Sequence, residues 1–123
     1  MWDVHWRIGG SAGTQLQADR CLKNQVVAHG ANQTCFGAFL LLHITASASL
    51  YMENNWGWVA DHELDMEPYI GQQVDIYNGR GVLVEATKGV WMVGTAFEHS
   101  QFYNYQIANA QNVYMGAIQS ETA

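Results

Sequence analysis

Short apolar runs of four to seven residues recur along most of this chain, separated by Gly and Asn. They are Phe39–Ile44, Leu50–Glu53, Trp56–Val59, Val74–Tyr77, Val82–Glu85, Val90–Val93, Phe102–Ile107 and Val113–Ile118. Each is rich in β-branched, aromatic and aliphatic side chains, which predicts a β-strand. Gly57, Asn78-Gly79, Gly81, Gly89, Gly94 and Asn109 punctuate them as turns. No segment holds a capped 3.6-residue apolar period, although residues 12–23 suit a short helical turn. Phe39-Leu40-Leu41-Leu42 and Val82-Leu83-Val84 are apolar without alternation, the pattern of strands packed on at least one face.

One motif, an aliphatic residue then an aromatic then methionine, appears as Leu50-Tyr51-Met52, Val90-Trp91-Met92 and Val113-Tyr114-Met115. The last two copies lie 23 residues apart, and each is followed by a glutamate at the same offset, Glu98 and Glu121. A period of this size is about one turn of a β-solenoid. It would set the two glutamates one rung apart, with backbones ~5 Å from each other. The expected fold is therefore all-β, a single-stranded parallel solenoid of about five coils. An antiparallel sandwich is the alternative that short strands and frequent turns also allow.

Composition supports β-structure. The chain of 123 residues is 49% hydrophobic but only 13% charged, with polarity carried by Asn, Gln, Ser and Thr. The net charge is −6 and the five cations (Arg7, Arg20, Lys23, Arg80 and Lys88) are scattered, which argues against nucleic acid as a partner. No apolar run approaches the ~20 residues of a membrane span, so no membrane partner is expected. The first residues lack the apolar stretch of a signal peptide. Cys21 and Cys35 flank a polar loop that holds the sequon Asn32-Gln33-Thr34. A disulfide closing that loop would suit a secreted protein, and two free thiols are the alternative. Asp61, Glu63, Asp65 and Glu67 alternate along the chain and read as a solvated acidic loop rather than a calcium site. No metal pattern and no cofactor motif is evident.

Longer stretches carry a resemblance. Met1-Trp-Asp-Val-His-Trp-Arg-Ile-Gly-Gly10, Gly37-Ala-Phe-Leu-Leu-Leu-His-Ile-Thr45 and Trp56-Gly-Trp-Val-Ala-Asp-His-Glu-Leu-Asp65 are three of them. Ile76-Tyr-Asn-Gly-Arg-Gly-Val-Leu-Val-Glu85, Glu98-His-Ser100 and Asn112-Val-Tyr-Met-Gly-Ala-Ile-Gln-Ser-Glu121 complete the set. In these the chain resembles the fungal family 55 glycoside hydrolases, the laminarinase-type exo-β-1,3-glucanases of the pectate-lyase-like superfamily. The resemblance implies a right-handed parallel β-helix. Residues 1–123 would be part of the second of two such helices, with the Cys21–Cys35 loop as an insertion. It implies inverting release of glucose from non-reducing ends of β-1,3-glucan and an extracellular location. The missing first β-helix is an implied partner, and the open ends of a short solenoid, which expose apolar edges, make another copy of the chain a further expected one.

Carried over by position, Glu121 matches the family's general acid, Glu98 a second pocket carboxylate and Trp58 a pocket tryptophan. The family pattern Gln-Thr-Glu-Thr-Pro-Tyr reads Gln119-Ser120-Glu121-Thr122-Ala123 here. Two carboxylates one rung apart disfavour double ionisation, so Glu98 would help keep Glu121 protonated for acid chemistry. A pair ~5 Å apart suits a retaining enzyme, whereas an inverting one needs ~6.5–9.5 Å. Glu98 is therefore read as a partner of the acid rather than a nucleophile. Trp56, Trp58, Tyr103 and Tyr105 are candidates to stack on sugar rings, with core filling as the alternative for each. His99 is the candidate to orient Glu98, with a structural turn histidine as the alternative. The competing functional reading is a non-catalytic glucan-binding or vestigial segment that lacks the water-activating half.

Overall fold

The computed structural model describes residues 1–23 and 27–123. In order the elements are β1 (His5–Ile8), α1 (Ala18–Cys21), a 3₁₀ turn (Gln33–Cys35), β2 (Phe36–Ile44) and β3 (Leu50–Glu53). They continue as β4 (Trp56–Val59), β5 (Tyr77–Val84), β6 (Val90–Val93), β7 (Ala96–Glu98), β8 (Tyr103–Ile107) and β9 (Val113–Gly116). The strands form three parallel sheets, ordered β1-β4-β7, β2-β5-β8 and β3-β6-β9.

This corrects the expected right-handed parallel β-helix of about five coils. The described residues make three small, separate sheets of three strands each rather than one five-coil solenoid. The reason is how the chain is spent. Among the described residues, the stretches between β1 and β2 and between β4 and β5 hold no strand. They are clamped instead by the Cys21–Cys35 disulfide and by the buried Glu63 carboxylate. The Val74–Tyr77 and Val82–Glu85 runs are likewise not two strands. One strand, Tyr77–Val84, spans the glycines between them, while Val74 bridges antiparallel to Leu22.

The repeated motif keeps its register. Leu50, Val90 and Val113 pair in a row, as do Tyr51, Trp91 and Tyr114, and Met52, Met92 and Met115. Side chains of a strand alternate between faces. Accordingly Met52 and Met92 are fully buried while the three aromatics between them face outward. Each buried methionine contributes roughly 1.5–3 kcal/mol of hydrophobic stabilisation. With Ile44, Val82, Val84, Ala86, Val90 and Phe97 they form one core cluster. Gly57 makes room there, since a Cβ on it would fall 2.4 Å from the Phe97 ring.

A second cluster joins Trp58, Val59, Ala60, Val74 and Ile76 to Ala18 and the disulfide. Glu63 anchors the loop over it. The acidic run is not uniformly solvated, because Glu63 is 0% exposed. Its Oε2 accepts from the Ala18 amide at 2.8 Å, and its Oε1 from Gln17 Nε2 and the amides of Leu64, Asp65 and Met66 at 3.1–3.2 Å. Burial by itself would raise the Glu63 pKa. The donors from Ala18, Asp65, Gln17 and Met66 outweigh it and hold the group below the usual carboxylate range.

Candidate functional site

The sheet of β1, β4 and β7 carries the chemistry. Its pairing sets two columns of side chains two residues apart, hence on one face. One column is His5, Trp56 and Ala96, extended by Gln119 through a parallel bridge to Ala96. The other is Arg7, Trp58 and Glu98. The His99 amide donates to the Glu121 carbonyl at 3.0 Å, which continues this second column to Glu121. The equal offset of the two glutamates therefore appears as a one-rung stack.

A cleft of about 580 Å³ opens over these columns. His5, Trp56, Ala96, Glu98, Gln119 and Glu121 line its wall, and the turn residues Asn54, Gly94 and Ala117 form its rim. Ala96 sits between Trp56 and Gln119, and its small side chain leaves the hollow. Those rim residues are corners of positive φ, at 52°, 59° and 52°. They let each strand of the β3-β6-β9 sheet turn sharply into the cleft wall.

Glu98 is 5% exposed and held from both sides. Trp56 Nε1 donates to its Oε2 at 2.9 Å, and Gln119 Nε2 donates to its Oε1 at 2.7 Å. The same Gln119 nitrogen reaches Glu121 Oε1 at 3.3 Å. One neutral amide thus bridges the two carboxyl groups. Glu121 is far more open, with 57% of its side chain exposed. Its backbone is tied down by Asn104, whose Nδ2 donates to the Glu121 carbonyl and to Ser120 Oγ. Tyr105 ties down Gln119, its hydroxyl lying 3.1 Å from the Gln119 carbonyl and 2.9 Å from that of Thr95. Burial pushes the Tyr105 phenol above its ordinary pKa, so it stays a donor.

His99 orients Glu121 rather than Glu98. Its Nδ1 lies 2.8 Å from the Val59 carbonyl, which can only accept, so Nδ1 carries a proton. Nε2 then faces Glu121 Oε2 at 3.3 Å.

The predicted residues are only partly gathered. Glu98, Glu121 and Trp56 line the cleft, and His99 adjoins it through Glu121. Trp58 is 3% exposed. It packs on Trp56 with ring centroids 5.3 Å apart and fronts a neighbouring hollow with Arg7 and His62. Tyr103 lies in the β2-β5-β8 sheet, its ring near the Arg80 guanidinium, and does not line the cleft. The sequence reading missed Gln119 as a functional residue. Period-two alternation would have found it, since it stands two positions before Glu121. Among the described residues no group of three or more His, Cys, Asp or Glu side chains is placed to hold a metal ion.

Several curated proteins align along 99% of the chain. It is 58% identical over 122 residues to a probable glucan endo-1,3-beta-glucosidase of Arthroderma benhamiae, covering 14% of that protein. It is 47% identical over 122 residues to the non-secreted LysM effector LysM15 of Penicillium expansum, covering 8% of it. It is 43% identical over 123 residues to a glucan 1,3-beta-glucosidase of Cochliobolus carbonum, covering 15% of it. No protein-family model matches the chain. The sequence is thus related to proteins named as β-1,3-glucan hydrolases, and it spans less than a sixth of the length of each of these relatives.

Proposed function

We propose that this chain supplies a β-1,3-glucan-binding face to a longer extracellular protein, with the cleft over Trp56, Glu98, Gln119 and Glu121 as the sugar site. The observation that carries this reading is the Gln119 bridge between the carboxyl groups. It presents Glu98 and Glu121 as a fixed pair of hydroxyl acceptors on one wall, beside the Trp56 ring. Sugar hydroxyls donate to carboxylates, and pyranose C–H faces pack on indole. The names of two relatives at 58% and 43% identity support glucan as the ligand class.

Binding without hydrolysis is the primary reading. Two carboxyl groups reached by one amide nitrogen lie on the same wall. They do not flank a bond with room for the attacking water of an inverting reaction. A second reading, in which Glu121 protonates a leaving glycosidic oxygen, is favoured by the placement of the His99 ring, which is anchored on the Val59 carbonyl and reaches Glu121 Oε2 at 3.3 Å. Water activation would then come from outside residues 1–123.

Calorimetric titration of laminarihexaose into the chain tests the binding site. Wild-type binding that is weakened in Gln119→Ala supports it, and equal binding by both proteins rejects it. Glucose release that disappears in Glu121→Gln would replace the binding reading with the hydrolytic one.

A further inference from the structure

The outer face of the β3-β6-β9 sheet carries an aromatic column that the cleft does not use. Tyr51, Trp91 and Tyr114 pair in register and are 40%, 45% and 57% exposed. Adjacent rungs are ~4.8 Å apart, so three rings follow one another along the sheet. Trp2 extends the column. It is 63% exposed and its ring centroid is 5.9 Å from that of Tyr51.

These rings are held rather than loose. The Trp91 ring lies back over Gly89, where an added Cβ would fall 2.2 Å from it. The Tyr114 ring lies over Gly116, where an added Cβ would be 2.8 Å from the hydroxyl. The Tyr51 hydroxyl and Trp2 Nε1 both donate to Glu53 Oε2, at 2.8 and 3.2 Å. Rings held in this way lose little further freedom on binding.

We infer that this column is a second glycan-binding platform, on which a neutral β-linked glucan stacks its pyranose faces. Four considerations select that occupant. The Trp91 and Tyr114 rings, lying over Gly89 and Gly116, offer planes rather than the interlocking knobs of a protein interface. The rings are uncharged, and the one carboxylate that touches them, Glu53, spends Oε2 on Tyr51 and Trp2, which suits an uncharged polyhydroxyl chain better than an ionic ligand. The area is small, since rings that bury about 150–250 Å² each in full offer roughly 400 Å² at these exposures. A stable second copy needs about 800 Å² per partner. Finally, the platform runs into the proposed sugar site, because the turn residues Asn54, Gly94 and Ala117 that follow its strands form the cleft rim. The choice of glucan among neutral glycans rests on the reading of that cleft.

The test titrates laminarihexaose into the 123-residue chain, followed by NMR of the Trp and Tyr side chains. Trp91→Ala/Tyr114→Ala is compared with Gln119→Ala. The expected result is at least tenfold weaker binding at the column in the double variant, with the cleft response intact. Gly89→Ala, which lifts the Trp91 ring while keeping every aromatic, should weaken the column alone. A cleft that fails to bind while Trp91 still responds would leave this inference standing and reject the cleft reading. Unchanged affinity in a folded double variant would overturn it. So would burial of Trp91 only at high protein concentration, with dimers in sedimentation velocity.

Discussion

Trp56 donates its indole N–H to Glu98 Oε2 at 2.9 Å, from the neighbouring strand of the same sheet. That bond keeps a buried carboxylate oxygen satisfied, and it fixes the indole plane against the cleft. Trp56→Phe retains the ring and removes the donor. A lost hydrogen bond to a charged group costs about 1.5–3 kcal/mol. The variant should lower the urea midpoint accordingly and weaken laminarihexaose binding, whereas His5→Ala on the same column should leave the stability nearly unchanged. Parallel urea melts and titrations check both.

Glu63 sets an acid limit on stability. Its folded-state pKa is depressed, because donors from Ala18, Asp65, Gln17 and Met66 overcome the effect of burial. A depressed carboxyl contributes stability that is fully present above its unfolded value of about 4.3 and is lost as pH falls through the folded value. Wild type should therefore lose stability steeply below about pH 4. Glu63→Gln should be less stable at neutral pH and show a shallower acid slope. Urea melts of both proteins from neutral pH down into the acid range decide it. Equal slopes would remove Glu63 from the account.

These residues also mark what could be read in advance. The Leu50, Val90 and Val113 motifs align because alternation is local, and each copy carries its own inward methionine and outward aromatic. The one-rung offset of Glu98 and Glu121 follows from the same regularity. Glu63 was illegible for the opposite reason. Its donors include Gln17 and Ala18, some 45 residues away, and nothing in an acidic run announces which member they will meet. The five-coil expectation failed on the two long excursions, where a disulfide and a buried carboxylate replace strand pairing. Tyr103 looked equivalent to Trp56 as an aromatic in a strand. Which sheet a strand joins depends on pairing that no short pattern encodes.

The disulfide staples the first excursion. Cys21 and Cys35 are 14 residues apart and both are buried in the Trp58 cluster. A loop of this size restricts the unfolded chain by about 3 kcal/mol. Reduction should lower the free energy of unfolding by roughly that amount. Because Met52 and Met92 belong to the other cluster, their amides should keep their hydrogen-exchange protection while those of Val59 and Ala60 lose it. Exchange measured with and without reductant tests the separation.

Ala117 occupies a corner that its side chain does not favour. Its φ is 52°, matching Asn54 at 52° and Gly94 at 59° at the equivalent turns of the preceding strands. A left-handed conformation costs an L-residue with a Cβ roughly 1–2 kcal/mol, and asparagine or glycine tolerates it better. Ala117→Gly should remove most of that strain, less the added freedom of the unfolded chain, for a net gain of about 0.5–1 kcal/mol. Gly94→Ala should lose a similar amount at the neighbouring corner. Both variants lie on the cleft rim, so the comparison also asks whether a relaxed corner moves Gln119, two residues beyond Ala117. Opposite shifts in the urea midpoint, with Gln119→Ala as the binding reference, are the expected result. Destabilisation by Ala117→Gly would show that the Ala117 methyl group contributes more by packing than its backbone costs.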